Sequence, residues 1–215
     1  MPNVRGALYL AGTRRVEQAI DKVDLTIACD RAALYRLAWG HSVDVAIGDF
    51  DSVTVKEQHW IVNQVKHCVT LPTAKDDTDS QAAVLWFFER YPLGELWVYG
   101  ALGGRIDHTL VNLFLPSHPK ISPFMQQISL ISSSEYITYY PEGRHEISRQ
   151  PGYQGLAFVV EGAGEVEILG AQFELTSTHY FSRKVYSSNA FTSGPVTLCV
   201  PKGTYVICLQ TNEEE

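Results

Sequence analysis

The 215-residue chain has little that would tie it to a membrane, a disulfide scaffold or nucleic acid. No window approaches the roughly 20 consecutive apolar residues of a bilayer-spanning helix. The one early apolar run, ALYLA, ends at Gly12 and is too short for a secretory signal. Cysteine is sparse: Cys29, Cys68, Cys199 and Cys208 are widely separated and form no C-x-x-C. That spacing excludes a zinc ribbon or a thioredoxin-type motif, and predicts free thiols in a reducing cytoplasm. Basic charge is also short, with 17 Lys and Arg against 24 Asp and Glu and a formal charge of −7. No Lys/Arg stripe exists to neutralise a row of phosphates, so neither a nucleic-acid partner nor a membrane is expected. The terminal Glu213, Glu214 and Glu215 read as a solvated end.

What is present is the composition of a folded protein, 45% hydrophobic and 19% charged with 11% aromatic residues. The length suits one large domain or two small ones. The first half alternates strand-like and helix-like segments: GALYLAG, EQAIDKV, LTIACD, RAALYRLAW, VDVAIGDF, VKHCVTLP, TDSQAAVLWFFERY, ELWVYGAL and IDHTLVNLFL. Such alternation predicts a mainly parallel sheet between helices, a three-layer α/β domain. Pro116, Pro119 and Pro123 then break the chain. Beyond them ISLISSSEYITYY, GLAFVVEG, GEVEILGAQFEL, PVTLCVPK and TYVICLQT read as short antiparallel strands of a β-sandwich, with no further helix. The expected domains are 1–124, α/β, and 125–215, all-β.

In an open parallel sheet, ligands bind beyond the carboxyl ends of the strands. GDFDS, at such an end, places Asp49 and Asp51 at i, i+2, which in an extended chain projects both carboxylates to one side. Two anions in one volume call for a cation, and oxygen ligands without a His/Cys pair favour Mg²⁺. The same D-x-D reads equally as a solvated turn or cap. KDDTDS adds Asp76, Asp77 and Asp79 before an amphipathic helix. One acid explains a helix cap and three exceed it. Asp76 or Asp79 can complete a metal shell or hold a nucleotide, Asp77 can be solvated, and Thr78 offers a hydroxyl to either task. A third loop, GALGGRIDH, offers a glycine pair for close backbone approach, the forked donor Arg105, and Asp107 and His108 at a helix start. Three strand-to-helix loops so equipped predict a metal–polyphosphate site.

IACDRAALYRL, DVAIGDFDSV, KDDTDSQAA and GALGGRIDHTLVNL occur in the order and rough spacing of the thiamine pyrophosphokinases, and SSNAF resembles that family's Ser-Asn segment. The resemblance implies a nucleotide-binding α/β catalytic domain followed by a thiamine-binding sandwich. It also implies a homodimer with interfacial active sites, and Mg²⁺-dependent transfer of a pyrophosphoryl group from ATP to thiamine, giving thiamine diphosphate and AMP. Carried over by motif, Asp49, Asp51 and Asp79 resemble the metal ligands and, with Arg105, the catalytic set. Asp30, Asp76, Thr78, Arg105, Asp107 and His108 resemble the nucleotide residues, and Ser188 and Asn189 the thiamine-facing segment. Phe173, Tyr186 and Phe191 are aromatic candidates to face the cationic ring, or else sandwich core.

Three positions depart from the family pattern: Arg31-Ala32 follows Asp30 where the family often has small residues, Gln81 replaces a common Glu, and Gly170-Ala171-Gln172-Phe173 loses a base. Alternative readings are a pyrophosphokinase acting on a hydroxymethylpterin, a Mg²⁺ phosphohydrolase using D-x-D, and a non-catalytic nucleotide or thiamine sensor.

Overall fold

The computed structural model describes residues 3–12 and 22–212. Most of the expected helix EQAIDKV, and the acidic tail, lie outside the described residues. The chain divides into compact units at residues 132/133.

The first unit runs β1 (Arg5–Tyr9), β2 (Leu25–Cys29), α1 (Arg31–Ala38), β3 (Val45–Gly48), α2 (Val55–Gln64), β4 (His67–Thr70), α3 (Asp79–Arg90), β5 (Glu95–Tyr99), α4 (Ile106–Leu113), two 3₁₀ turns and β6 (Ile128–Ile131). Its strands are all parallel, in the order β6-β5-β1-β2-β3-β4. Consecutive residues of β1, β2 and β3 are buried on both faces, as a parallel sheet covered by helices demands. α1 packs on β2, and α3 on β1, β2 and β3. Phe87 and Phe88 of α3 fill the core edge to face, and Phe88 stacks on Phe124.

Two expectations change here. ISLI, read as the opening of the β-domain, is the last parallel strand, because β6 pairs in register with β5. A 3₁₀ turn over Ser122–Gln127 leads into it, where no further helical turn was expected. α2 was missed, although its start carries a capping box: Thr54 Oγ1 accepts the Glu57 amide at 3.3 Å, and Glu57 Oε2 accepts the Thr54 amide at 2.7 Å.

The second unit is a sandwich of two antiparallel sheets. One contains β7 (Glu135–Tyr140), β13 (Tyr205–Thr211), β9 (Gly155–Glu161) and β11 (Val185–Ala190) in that order. The other contains β8 (Gly143–Ile147), β12 (Val196–Val200) and β10 (Glu167–Leu169). Alternate residues from both sheets, among them Phe158, Val206, Ile168 and Leu198, meet in one core. Among the described residues, no helix is long and apolar enough to cross a membrane.

Candidate active site

The strand order of the first unit fixes where a ligand can bind. From β1 the chain steps outward to β2, β3 and β4, then returns to β5 on the other side of β1. The segments that directly follow β1 and β5 therefore meet at the switch point, where an open parallel sheet takes its ligand. Here they touch through glycine: the Gly12 amide donates to the Gly100 carbonyl at 3.1 Å, and a Cβ on Gly12 would lie 2.2 Å from that oxygen. Asn112 of α4 donates from its buried amide to the Ala101 carbonyl at 2.9 Å, and the Thr109 hydroxyl donates to the Gly103 carbonyl at 3.1 Å, tying the loop to its helix. A cleft of about 560 Å³ results, lined among others by Asp51, Thr78, Asp79, Arg105 and His108. That volume lies within the usual range of small-ligand sites.

At one side of the cleft, Asp30, Asp49 and Asp79 each offer a carboxylate oxygen within 4.8 Å of the others. They come from the ends of β2 and β3 and the first position of α3. Asp30 enters by an unusual backbone, φ 44°, and its Oδ1 accepts the Phe50 amide at 3.0 Å. The carboxyl fills the space where Gly48 lacks a side chain: a Cβ there would stand 1.8 Å from Asp30 Oδ1. Gly48 thus lets the β2 and β3 loops converge. Burial, followed by the charges of Asp79, Asp49 and Asp51, pushes the Asp30 carboxyl up to about 7 despite the Phe50 hydrogen bond.

The D-x-D segment is not extended. Phe50 turns into the left-handed region at φ 58° and is buried, while Asp49 Oδ1 accepts the Asp51 amide at 3.1 Å. The two carboxylates consequently part: Asp49 joins the three-acid group and Asp51 lines the cleft outside it. Burial raises Asp49, but the Asp51 amide and Lys75 outweigh it and hold the carboxyl below its ordinary value. Lys75, a residue the sequence reading gave no role, lies 3.0 Å from Asp79 and 3.4 Å from Asp49. The Arg31 guanidinium, which follows Asp30 in place of a small residue, donates to the Ser52 carbonyl from Nε at 2.8 Å and braces the same loop.

The KDDTDS acids divide their work. The cap of α3 is Thr78: its hydroxyl accepts the Gln81 amide at 3.3 Å and Gln81 Oε1 accepts the Thr78 amide at 3.0 Å. Gln81 therefore serves the capping box that a Glu would. Asp77 is paired with His118 at 3.1 Å, anchoring the loop rather than standing in solvent. Asp76 is exposed and outside both the acid group and the cleft lining. Arg105 is exposed and held bidentately by Asp107 at 3.1 and 2.6 Å, so a phosphate would have to compete for it.

In the second unit, Ser188 is exposed at φ 59° within a β-bulge of β11. Asn189 is buried, and its carboxamide is engaged by backbone: Oδ1 accepts the Phe173 and Ala190 amides at 2.9 Å, and Nδ2 donates to the Phe173 carbonyl at 2.8 Å. Asn189 thus pins the loop that presents Phe173, itself 61% exposed. Tyr186 is sandwich core, with its hydroxyl donating to the Phe181 carbonyl, and Phe191 packs on that core.

The model of the thiamin pyrophosphokinase catalytic domain matches residues 16–125. The chain is 26% identical over 195 residues to thiamine pyrophosphokinase of Bacillus subtilis, spanning 89% of this chain and 90% of that protein. It superposes with a TM-score of 0.89 on a thiamin pyrophosphokinase family protein from Enterococcus faecalis, at 28% identity, covering 98% of this chain and all of the other. The fold, at 12% identity, is shared with thiamin pyrophosphokinase from Candida albicans, TM-score 0.72, covering 97% and 89%.

Proposed function

From the premise that this chain belongs to the thiamin pyrophosphokinase family, we propose that it transfers a pyrophosphoryl group from ATP to the hydroxyl of thiamine, releasing AMP. The observation that carries the reading is the convergence of Asp30, Asp49 and Asp79 beside a glycine-floored cleft at the switch point of a parallel sheet. The donor set fits magnesium. It consists of carboxylate oxygens, and Cys29, the nearby soft atom, is a buried thiol donating to the Asp79 carbonyl at 3.7 Å; burial and then the charges of Asp30 and Asp79 hold it protonated. Magnesium held there would neutralise charge on the polyphosphate.

The chain's own residues supply position. The loops after β1 and β5 take the triphosphate along exposed backbone, with Arg105 exchanging Asp107 for a phosphate oxygen and Thr78 and His108 bordering the nucleotide. Asp107 acts through Arg105, while Asp76 stands outside the cleft lining. Asp51 lies in the cleft but outside the cation group, and is the acid offered to the thiamine hydroxyl proton. The sandwich supplies the thiamine contacts through Ser188 and Phe173, with Asn189 holding both segments in place. A homodimer with shared sites is part of the same reading: Ile106 and Leu110, 77% and 48% exposed, sit one turn apart on α4 beside Arg105 and His108.

Incubation of the purified protein with Mg²⁺, ATP and thiamine tests the assignment. Thiamine diphosphate with AMP supports it; ADP, free phosphate, or turnover indifferent to thiamine refutes it. A hydroxymethylpterin in place of thiamine is the specificity control.

A further inference from the structure

The acidic group already contains a cation. Lys75 Nζ lies 3.0 Å from Asp79 Oδ1 and 3.4 Å from Asp49 Oδ2, and donates to the Pro72 carbonyl at 3.0 Å. Its side chain is only 15% exposed and is not among the residues lining the cleft, so it is not placed as a phosphate donor. Three carboxylates within 4.8 Å carry three negative charges when ionised; the ammonium cancels one. A divalent ion on the same oxygens shares its ligands with Lys75 and is repelled by it.

We propose that Lys75 is the internal counter-ion of this site. It holds Asp49 and Asp79 together from a single ammonium, and by competing for their oxygens it holds down the affinity of the free protein for a divalent ion. The polyphosphate, adding negative charge next to the acids, then tips the balance, so that the ion is taken up with the nucleotide. Lys75 acts through the two acids and is a positioning residue. The inference rests on reading Asp30, Asp49 and Asp79 as the magnesium–polyphosphate site.

Calorimetric titration of the full chain with Mn²⁺ alone, without nucleotide, tests it on the wild type, Lys75→Met and Lys75→Arg. A single and a double positive charge within about 5 Å repel enough, even at the dielectric of water, to shift affinity about tenfold. Lys75→Met is therefore expected to bind Mn²⁺ at least about tenfold more tightly, and Lys75→Arg to behave as wild type. Without metal, Lys75→Met melts below wild type, and the gap closes as Mn²⁺ is added. A lysine that merely braced the Pro72 loop would lower the melting temperature equally with and without metal. Unchanged or weaker Mn²⁺ binding by Lys75→Met, with the wild type binding, overturns this inference alone. Absence of Mn²⁺ binding by both overturns the metal reading and this inference with it. Should Lys75→Met fail to fold, Lys75→Gln removes the charge while keeping a donor, and the same outcomes apply.

Discussion

Gly48→Ala puts a single methyl group where the structure already holds a carboxylate. The added Cβ would lie 1.8 Å from Asp30 Oδ1, 2.5 Å from its Cγ and 2.9 Å from Oδ2. No rotation of a methyl relieves such a contact, so Asp30 must leave. Its departure orphans the amide of buried Phe50, at about 1–3 kcal/mol. Repacking around the extra carbon costs about 1–3 kcal/mol more. Together these predict a loss of roughly 2–6 kcal/mol, to which a side chain at the Gly48 φ of 154° adds backbone strain. Because Asp30 is one of the three converging acids, turnover should fall at least about 100-fold, the scale of a lost electrostatic contact at a reacting centre.

Gly40→Ala is the control: its φ is also positive, 79°, yet no heavy atom lies within 4 Å of a built Cβ, so only backbone strain of about 1–2 kcal/mol is expected. The decisive measurement is a double-mutant cycle by urea unfolding in a chelator. With Asp30→Gly in the background, the carboxylate is gone and Gly48→Ala should retain only the strain of its own backbone at φ 154°, so its cost should fall clearly below that in the wild type. A coupling below about 0.5 kcal/mol, within ordinary additivity, would refute the argument that Gly48 exists to admit Asp30.

Asp30 also makes stability depend on pH when no divalent ion is bound. Its folded value of about 7 lies above the ordinary 3.8, so its contribution is complete below about pH 4 and is lost as pH rises through 7. At about 1.4 kcal/mol per unit the loss reaches up to about 4 kcal/mol, less where water screens the carboxyl; the wild-type advantage over Asp30→Asn, by urea unfolding at pH 4 to 8, should shrink accordingly, and a flat difference would count against it. Asp49→Asn and Asp51→Asn should each lower kcat about 100-fold or more while changing unfolding free energy by about 1 kcal/mol or less; equal loss of folding in both would mark these acids as structural. Asn189→Ala should destabilise the sandwich by about 1–3 kcal/mol, because two backbone amides and a carbonyl lose their partner. It should also raise the KM for thiamine more than that for ATP, which steady-state kinetics on the two substrates separates.

The parallel sheet was legible because a buried strand between helices writes itself locally, as an apolar run such as VAIG. The acids were legible for the same reason: each directly follows a strand or opens a helix. Their grouping was not. Asp30 joins Asp49 only because β2 and β3 are neighbours, with Ile27 opposite Val45, and because Gly48 leaves room; the glycine before the D-x-D was the unread signal. Lys75 was overlooked because a lysine in a run of acids reads as a solvated face. The burial of Asn189 is a tertiary fact that no periodicity carries, and the pairing of ISLI with β5 links residues more than thirty apart in sequence. What short patterns hide, then, is whichever residue owes its role to a non-local neighbour.

Backbone strain points to the same segments by a separate route. Among the described residues, three non-glycines have positive φ: Asp30 at 44°, Phe50 at 58° and Ser188 at 59°. Such conformations cost on the order of 1–3 kcal/mol each and persist where surrounding contacts over-determine them. For Asp30 and Phe50 those contacts are mutual, since the Phe50 amide binds the Asp30 carboxyl and the Phe50 ring is buried beneath the turn. For Ser188 the restraint is its neighbour, Asn189, whose side chain is fixed to the backbone at Phe173. Glycine at any of the three would relieve the strain, so these positions keep their side chains at an energetic cost. At Asp30 the side chain is a carboxylate of the acid group, and at Phe50 it is the wedge that parts Asp49 from Asp51. By the same logic, the thiamine contact proposed for Ser188 would account for a serine where glycine would be unstrained. Ser188→Gly should therefore stabilise the sandwich while weakening thiamine binding, and a variant that gained stability with its thiamine affinity intact would remove Ser188 from the substrate site.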